Sequence, residues 1–271
     1  MILALSLSLF ILIDLSVNGL LCNTQYFIKT ISNTQLKASN SVNVADLLIS
    51  SAFSIKPLFR IAADKARSSM IQQGLSIGVD WDKNVANLQG KMGSLESDYN
   101  KLFSSNVQYP DYYLKPFHAY DDGNLSWKAA LEVESAALTV HAHIFSNNAI
   151  KNRELSRDGD FMLRDNFHVN MKKMFVDRSF NPTSILDLGC STGLSTLKLH
   201  DSFPTARVIG MDLSVYFLAV ANQNLLDTPS DASKLIEYKH GLAESTGLSK
   251  GEVDMVTMSL VAHELPTSAL K

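Results

Sequence analysis

Cysteine is almost absent from this chain of 271 residues, which holds only Cys22 and Cys190. Two thiols cannot build a disulfide framework or fill a tetrahedral zinc site, so no metal centre is expected. One Cys22–Cys190 bridge is formally open, but Cys22 lies in a stretch with the character of a removable leader. Basic runs are missing as well. Lys and Arg number 24 against 27 Asp and Glu, a formal net charge of −3, and no five basic residues are consecutive. That balance supplies no electrostatic footprint for nucleic acid. Beyond the leader no apolar stretch is long enough to span a bilayer, and no internal repeat appears. What remains is an ordinary globular composition, 46% hydrophobic and 19% charged, long enough to bury a core without covalent staples.

The first 22 residues, MILALSLSLFILIDLSVNGLLC, are apolar apart from small hydroxyl residues, Asp14 and Asn18, and carry no Lys or Arg. A membrane span needs roughly 20 uninterrupted apolar residues, whereas this run breaks at Asp14 after about thirteen, a length that suits a signal h-region. The following segment to Ala63 is rich in Ser, Thr and Asn and has Asp46 as its only acid. Acid-poor, hydroxyl-rich composition is the mark of organelle transit segments, so an organelle address is expected; secretion or membrane tethering through the apolar start is the alternative. Three regions follow: a leader and disordered segment at 1–54, a helical N-terminal region at 55–180, and an α/β domain at 181–271.

In the helical region, Ala130, Leu131, Ala137, Leu138, Ile144 and Phe145 recur every seven residues and predict one apolar stripe. Lys128, Glu132 and Ser135 are expected mostly off it, with the turn Asp121-Asp122-Gly123-Asn124 available as a cap. The aromatic, proline-punctuated segment from Tyr109 to Tyr120 reads as a loop. A helix from Asp160 to about Val176 is expected to bury Leu163, Phe167, Met171 and Met174. After Pro182 the pattern changes to short apolar strands alternating with helices: strands at 184–188, 207–212, 236–240 and 253–259, and helices ending near Asp201 and Leu226. That alternation predicts a Rossmann-like parallel sheet, with ligands held beyond the carboxyl ends of its strands.

The first strand runs into Asp187-Leu188-Gly189-Cys190-Ser191-Thr192-Gly193. Glycines let the backbone turn sharply and approach a ligand where a Cβ would collide. A dinucleotide fingerprint requires Gly-x-Gly-x-x-Gly, but here the middle glycine is missing. The carboxylate of Asp187 would repel a diphosphate and favour a ligand bearing positive charge, which points away from NAD and toward S-adenosylmethionine (SAM). Asp212 ends the second strand 25 positions later, near the spacing of about 20 at which an acid accepts from an adenosine ribose. Leu213 can lie against the adenine, and Gly241-Leu242-Ala243-Glu244 follows the third strand where the adenine edge is read. Blander readings exist: a common α/β turn, a helix cap at Asp212, a surface charge at Glu244.

These residues, with Val208-Ile209-Gly210-Met211-Asp212-Leu213-Ser214 and Asp254-Met255-Val256, resemble the successive motifs of class I SAM-dependent methyltransferases, particularly the type of ubiquinone and menaquinone biosynthesis. The resemblance covers about residues 183 to 266. The stretch from Tyr109 through Ser135 looks like the N-terminal region of plant methyltransferase-like proteins, some of them plastid-targeted, and this resemblance implies the chloroplast as the compartment. The resemblance implies that Asp187, Gly189 and Gly193, with Cys190, Ser191 and Thr192 in the same turn, hold the methionyl end of the cofactor; that Asp212 takes the ribose hydroxyls; and that Leu213, Ala243 and Glu244 meet the adenine. Cys190 stands where many members have Gly or Ala. Such enzymes resemble a seven-stranded sheet, and this chain stops after its fourth, so it reads as a fragment; the alternative is a partner covering the exposed sheet edge.

Methyl transfer from SAM is an in-line displacement that a protein accelerates mainly by holding the acceptor close and aligned. A general base is needed only if the acceptor must lose a proton. His263 and Glu264, directly after the fourth strand, are the candidates, against a reading as a polar helix start. His118 and Tyr120 can line an acceptor pocket or pack over the core, and His141 and His143 do not share a helix face. The expected function is methyl transfer to a small-molecule acceptor; a methyltransferase-like binding protein without turnover is the alternative.

Overall fold

The computed structural model describes residues 56–117, 120–143, 155–176, 179–228, 231–262 and 264–266. The expected leader at 1–54, together with His118, Ile144, Phe145 and His263, lies outside them. Ile71–Lys271 fall in one compact unit, in which the helices from 71 pack with the sheet. No helix among the described residues is long and apolar enough to cross a membrane.

In chain order the helices before the sheet are α1 (Lys56–Ser76), α2 (Trp81–Gln89), α3 (Met92–Leu102), α4 (Trp127–Val140) and α5 (Gly159–Val176). Then come β1 (Ser184–Leu188), α6 (Leu194–Ser202), β2 (Arg207–Asp212), α7 (Val215–Asp227), β3 (Ile236–His240) and β4 (Met255–Thr257). The strands lie parallel in the order β3-β2-β1-β4. The first three match their expected bounds; the fourth is shorter than 253–259. Strand order reverses at β1, which β2 and β4 flank, and such a switch point opens a crevice beyond the strands' carboxyl ends.

β1 is buried on both faces, which explains its continuous apolar run. Ile185 faces α6 and α7 with Val208, Ile236, Met255, Leu199 and Leu218. Leu186 and Leu188 face the other way with Ile209 and Met211, covered by Ala243, Leu248 and Val253. α7 is buried on two sides, because Phe217, Ala219 and Val220 also pack against Leu95 of α3 and Ala129, Ala130 and Leu131 of α4. Each fully buried side chain of Leu or Ile size contributes roughly 1.5–3 kcal/mol. At the amino end of the sheet Asp254 Oδ2 accepts from Thr183 N, Thr183 Oγ1 and Ser184 N, tying the entries of β1 and β4 together and holding its carboxyl below the usual range.

Three helical expectations are corrected. Ser126, not the turn at 121–124, caps α4, its side chain accepting from Ala129 N. The buried face of α4 includes Glu132 and Ser135, since Glu132 accepts from Tyr120 Oη at 2.9 Å and Ser135 Oγ from Asn84 at 3.1 Å. On α5 Phe167 and Met174 are exposed, while Asp160, His168 and Met171 are buried. Asp160 is satisfied by Arg164 Nε at 2.8 Å and His141 Nδ1 at 2.6 Å, and these partners hold its carboxyl down at about 2 against the opposing effect of burial. A buried charge with two partners thereby displaces the apolar period as the determinant of the packed face.

Candidate functional site

The turn after β1 is a tight cradle at the switch point. Gly189, Ser191 and Gly193 all have left-handed backbones, with φ of 66°, 51° and 82°. Both Gly189 N and Cys190 N donate to the carbonyl of Met211, at 2.8 and 3.1 Å, which hangs the turn on the end of β2. A Cβ on Gly189 would run into the side chain of Val261, and one on Gly193 would run into the Tyr238 hydroxyl with Tyr238 Cζ at 2.9 Å. Gly193 also serves as the N-cap of α6. Ser191 occupies the position of the missing middle glycine and takes the same left-handed conformation, which costs a non-glycine residue roughly 1 kcal/mol. Ser191→Gly is therefore expected to raise the unfolding free energy by about 0.5–1 kcal/mol, measured by urea denaturation; a destabilised variant would contradict that strain.

Asp187 does not face a ligand. It is fully buried, and its oxygens accept from Thr196 Oγ1 of α6 at 2.8 Å and Thr257 Oγ1 of β4 at 3.0 Å. Burial pushes its carboxyl above the usual range. The expectation of a direct contact is corrected: Asp187 pins α6 and β4 to β1 and so fixes where the turn begins. Cys190 is likewise buried in the core beside Ile185, Leu199 and Leu218, and burial raises its thiol well above normal. Thr192 is buried too, its carbonyl accepting from Asn224 Nδ2 at 3.0 Å, while the same nitrogen bonds Glu134. Within the turn only Gly189 and Ser191 retain appreciable exposure.

Asp212 is the centre of the site. Its Oδ2 accepts from Ser191 N and its Oδ1 from Ser214 N, both at 2.8 Å, so one carboxylate clamps the turn after β1 to the start of α7. Ser214 then caps α7 through Phe217 N. Burial is the main cause that pushes the Asp212 carboxyl up to about 6; the two amides oppose it and the nearby charge of Glu264 adds to it. Glu264, proposed from sequence as a base, thus lies within electrostatic reach of Asp212, its amide bonded to Val261 O at 2.9 Å. Leu213 is buried beside Asp212. Ala243 packs under the sheet. Glu244, expected to meet the adenine, is exposed, and its Oε1 accepts from Tyr112 Oη at 2.5 Å.

Tyr112 belongs to a group that sequence reasoning placed only as an aromatic loop. Tyr113 Oη donates to Asp212 Oδ1 at 3.5 Å. Tyr109 stacks on Tyr113, ring centroids 6.3 Å apart, and its hydroxyl lies 3.2 Å from His240 Nε2. His240 ends β3 directly beside Asp212. The loop therefore straps across the carboxyl ends of β2 and β3. Its signal in the sequence was tyrosine density; where it docks was not encoded locally.

Residues 185–271 match the family described as "Methyltransferase domain". A malonyl-[acyl-carrier protein] O-methyltransferase of Halalkalibacterium halodurans is 36% identical over 69 residues, 23% of this chain and 26% of that protein. One of the same name from Anoxybacillus flavithermus is 40% identical over 48 residues, 18% of each. The chain thus spans about a quarter or less of the length of these relatives. Among solved structures, coclaurine N-methyltransferase bound to N-methylheliamine and SAH aligns over 73% of this chain and 55% of its own, at 15% identity and a TM-score of 0.29. The kinase-methyltransferase WbdD aligns over 44% and 26%, at 21% identity and a TM-score of 0.31. The glycine turn, the β2 aspartate and the parallel strand order all lie in or against the matched segment, so the part of the chain that carries the site is the part similar to the methyltransferase-domain family.

Proposed function

We propose that this domain binds S-adenosylmethionine and directs its methyl group to a small-molecule acceptor. The observation that carries the reading is the Ser191 N to Asp212 Oδ2 bond at 2.8 Å, which brings the glycine turn and a buried carboxylate to one point at the strand ends. The groups present suit such a ligand. Gly189 and Ser191 leave backbone open to close approach, Asp212 offers a carboxylate to ribose hydroxyls, and Leu213 supplies an apolar surface beside it. Asp212 and Glu264 make the mouth anionic, which favours a sulfonium and ammonium over a diphosphate. When bound, the sulfonium supplies a methyl group already activated for displacement. This chain's part is to bind, orient and exclude water: Asp187 sets the turn, Asp212 orients the nucleoside, and the tyrosine strap covers it. Glu264 is the described residue placed to accept a proton from an acceptor that must lose one.

The matched relatives act on a malonyl group on a carrier protein by name. Titration calorimetry of the full chain with S-adenosylhomocysteine and with NADH tests the reading. Saturable heat with the first and none with the second is expected; the reverse would overturn it. Binding with no methyl transfer to any acceptor would favour a methyltransferase-like binding protein.

A further inference from the structure

Hydrogen-bond accounting at Asp212 leaves a deficit that Tyr113 fills. A carboxylate has about four lone-pair positions. Ser191 N, Ser214 N and Tyr113 Oη occupy three of them, so one remains. The sugar of an adenosine ligand presents two adjacent hydroxyls, and each needs an acceptor once water is excluded. Tyr113 gives its own proton to Asp212, 3.5 Å away. A hydroxyl oxygen also has two acceptor positions, and these are what the phenol offers to a ligand hydroxyl.

The strap holds the phenol in that place from three sides. Tyr112 is anchored on Glu244, the Tyr109 ring lies parallel to Tyr113 at 9°, and Tyr109 Oη meets His240 Nε2. Ser104 N donates to His240 Nδ1 at 3.0 Å, so the neutral ring carries its proton on Nε2 and donates to Tyr109. A loop pinned by two side chains and a stacked ring spends little ordering entropy when a ligand arrives.

We propose that Tyr113 is a second ribose-binding residue, which with Asp212 forms a two-acceptor clamp for the vicinal diol of the nucleoside. Asp212 takes one hydroxyl and the Tyr113 oxygen takes the other. The assignment rests on the S-adenosylmethionine reading and goes beyond it by naming a residue outside the matched segment, on the strap. It predicts discrimination between sugars that a wall of aromatic rings alone would not give.

The test is calorimetry of wild type and Tyr113→Phe with S-adenosylhomocysteine and with its 2′-deoxy and 3′-deoxy analogues. The variant should bind the parent about ten-fold more weakly, as expected for one lost hydrogen bond in a buried site. It should bind one of the two deoxy analogues as well as wild type does, because that analogue lacks the hydroxyl the phenol accepts. An equal loss for all three ligands would mean the phenol only supports the fold, and no loss for any would remove it from the site; either result overturns the clamp. Failure of wild type to bind the parent ligand is a separate outcome. It would refute the cofactor reading and this inference with it.

Discussion

Replacing Gly193 by alanine is expected to lower the unfolding free energy by about 2–5 kcal/mol, the sum of a backbone effect and an overpacking effect. The backbone effect follows from φ of 82°, where a Cβ meets its own neighbouring carbonyl. The overpacking effect follows from Tyr238, whose ring fills the space between Gly193 and Gly210 on β2. Cβ atoms built on those two glycines would lie 2.9 Å from Tyr238 Cζ and 2.7 Å from Tyr238 Cδ1. Ala221 of α7 crowds the same place, its Cβ 3.1 Å from the Cβ position at Gly193. Among the described residues the buried Tyr238 hydroxyl has no hydrogen-bond partner, so removing it sacrifices none of their bonds. Tyr238→Phe in the Gly193→Ala background should accordingly recover part of the steric loss and none of the backbone loss. Urea unfolding of the four proteins reads both. A Gly193→Ala variant within about 0.5 kcal/mol of wild type, the scatter of ordinary surface substitutions, would mean the turn is not built around this contact.

The strands and the turn were legible because their causes are local. β1 and the body of β2 are short, mostly buried runs closed by Gly189 and by Asp212, as strands covered on both faces are, and β3 alternates buried Ile236, Tyr238 and His240 with the more exposed Glu237 and Lys239 before Gly241. Asp212 was identifiable as the acid at a strand end, and the structure places it against the turn as that position implies. What could not be read depends on partners far along the chain. Asp187 looks like a ligand residue from its place in the motif, yet Thr257, 70 positions away, turns it into a pin. Glu244 looks free until Tyr112, 132 positions earlier, takes it. The face of α5 was misjudged because an apolar period favours Phe167 and Met174, whereas the ion pair of Asp160 with Arg164 rotates the helix the other way. The strap was missed for the same reason: a run of tyrosines and prolines has no period, and its docking is decided at the far end by His240 and Asp212.

The substitution with the largest expected effect on binding is Asp212→Asn. Both carboxylate oxygens accept backbone amides, one on the turn and one on α7. A carboxamide of the same shape must therefore set its NH2 against an N–H on one side, opening the cradle there, and it loses the charge that strengthens the bonds to sugar hydroxyls. The expected loss is about 1.5–3 kcal/mol of affinity for S-adenosylhomocysteine, or roughly 10- to 150-fold. The wild-type pH profile tests the same group without mutation. Asp212 faces Tyr113 and Tyr109 on the strap, Glu264 after β4, Cys190 in the turn and His240 on β3. Burial and Glu264 raise its carboxyl to about 6, and ribose hydroxyls donate more strongly to the ionised form than to the neutral one. Affinity should then be constant above pH 7 and fall as pH drops through 6. For folding the sign is opposite. A carboxyl raised in the folded state binds its proton more tightly there, so Asp212 costs stability as pH rises from the unfolded value near 4 to about 6, and that cost stays constant above. Affinity and stability must therefore move in opposite directions across this window. A binding profile flat from pH 5 to 8, or an Asp212→Asn variant that binds as well as wild type, would remove the carboxylate from the nucleoside site.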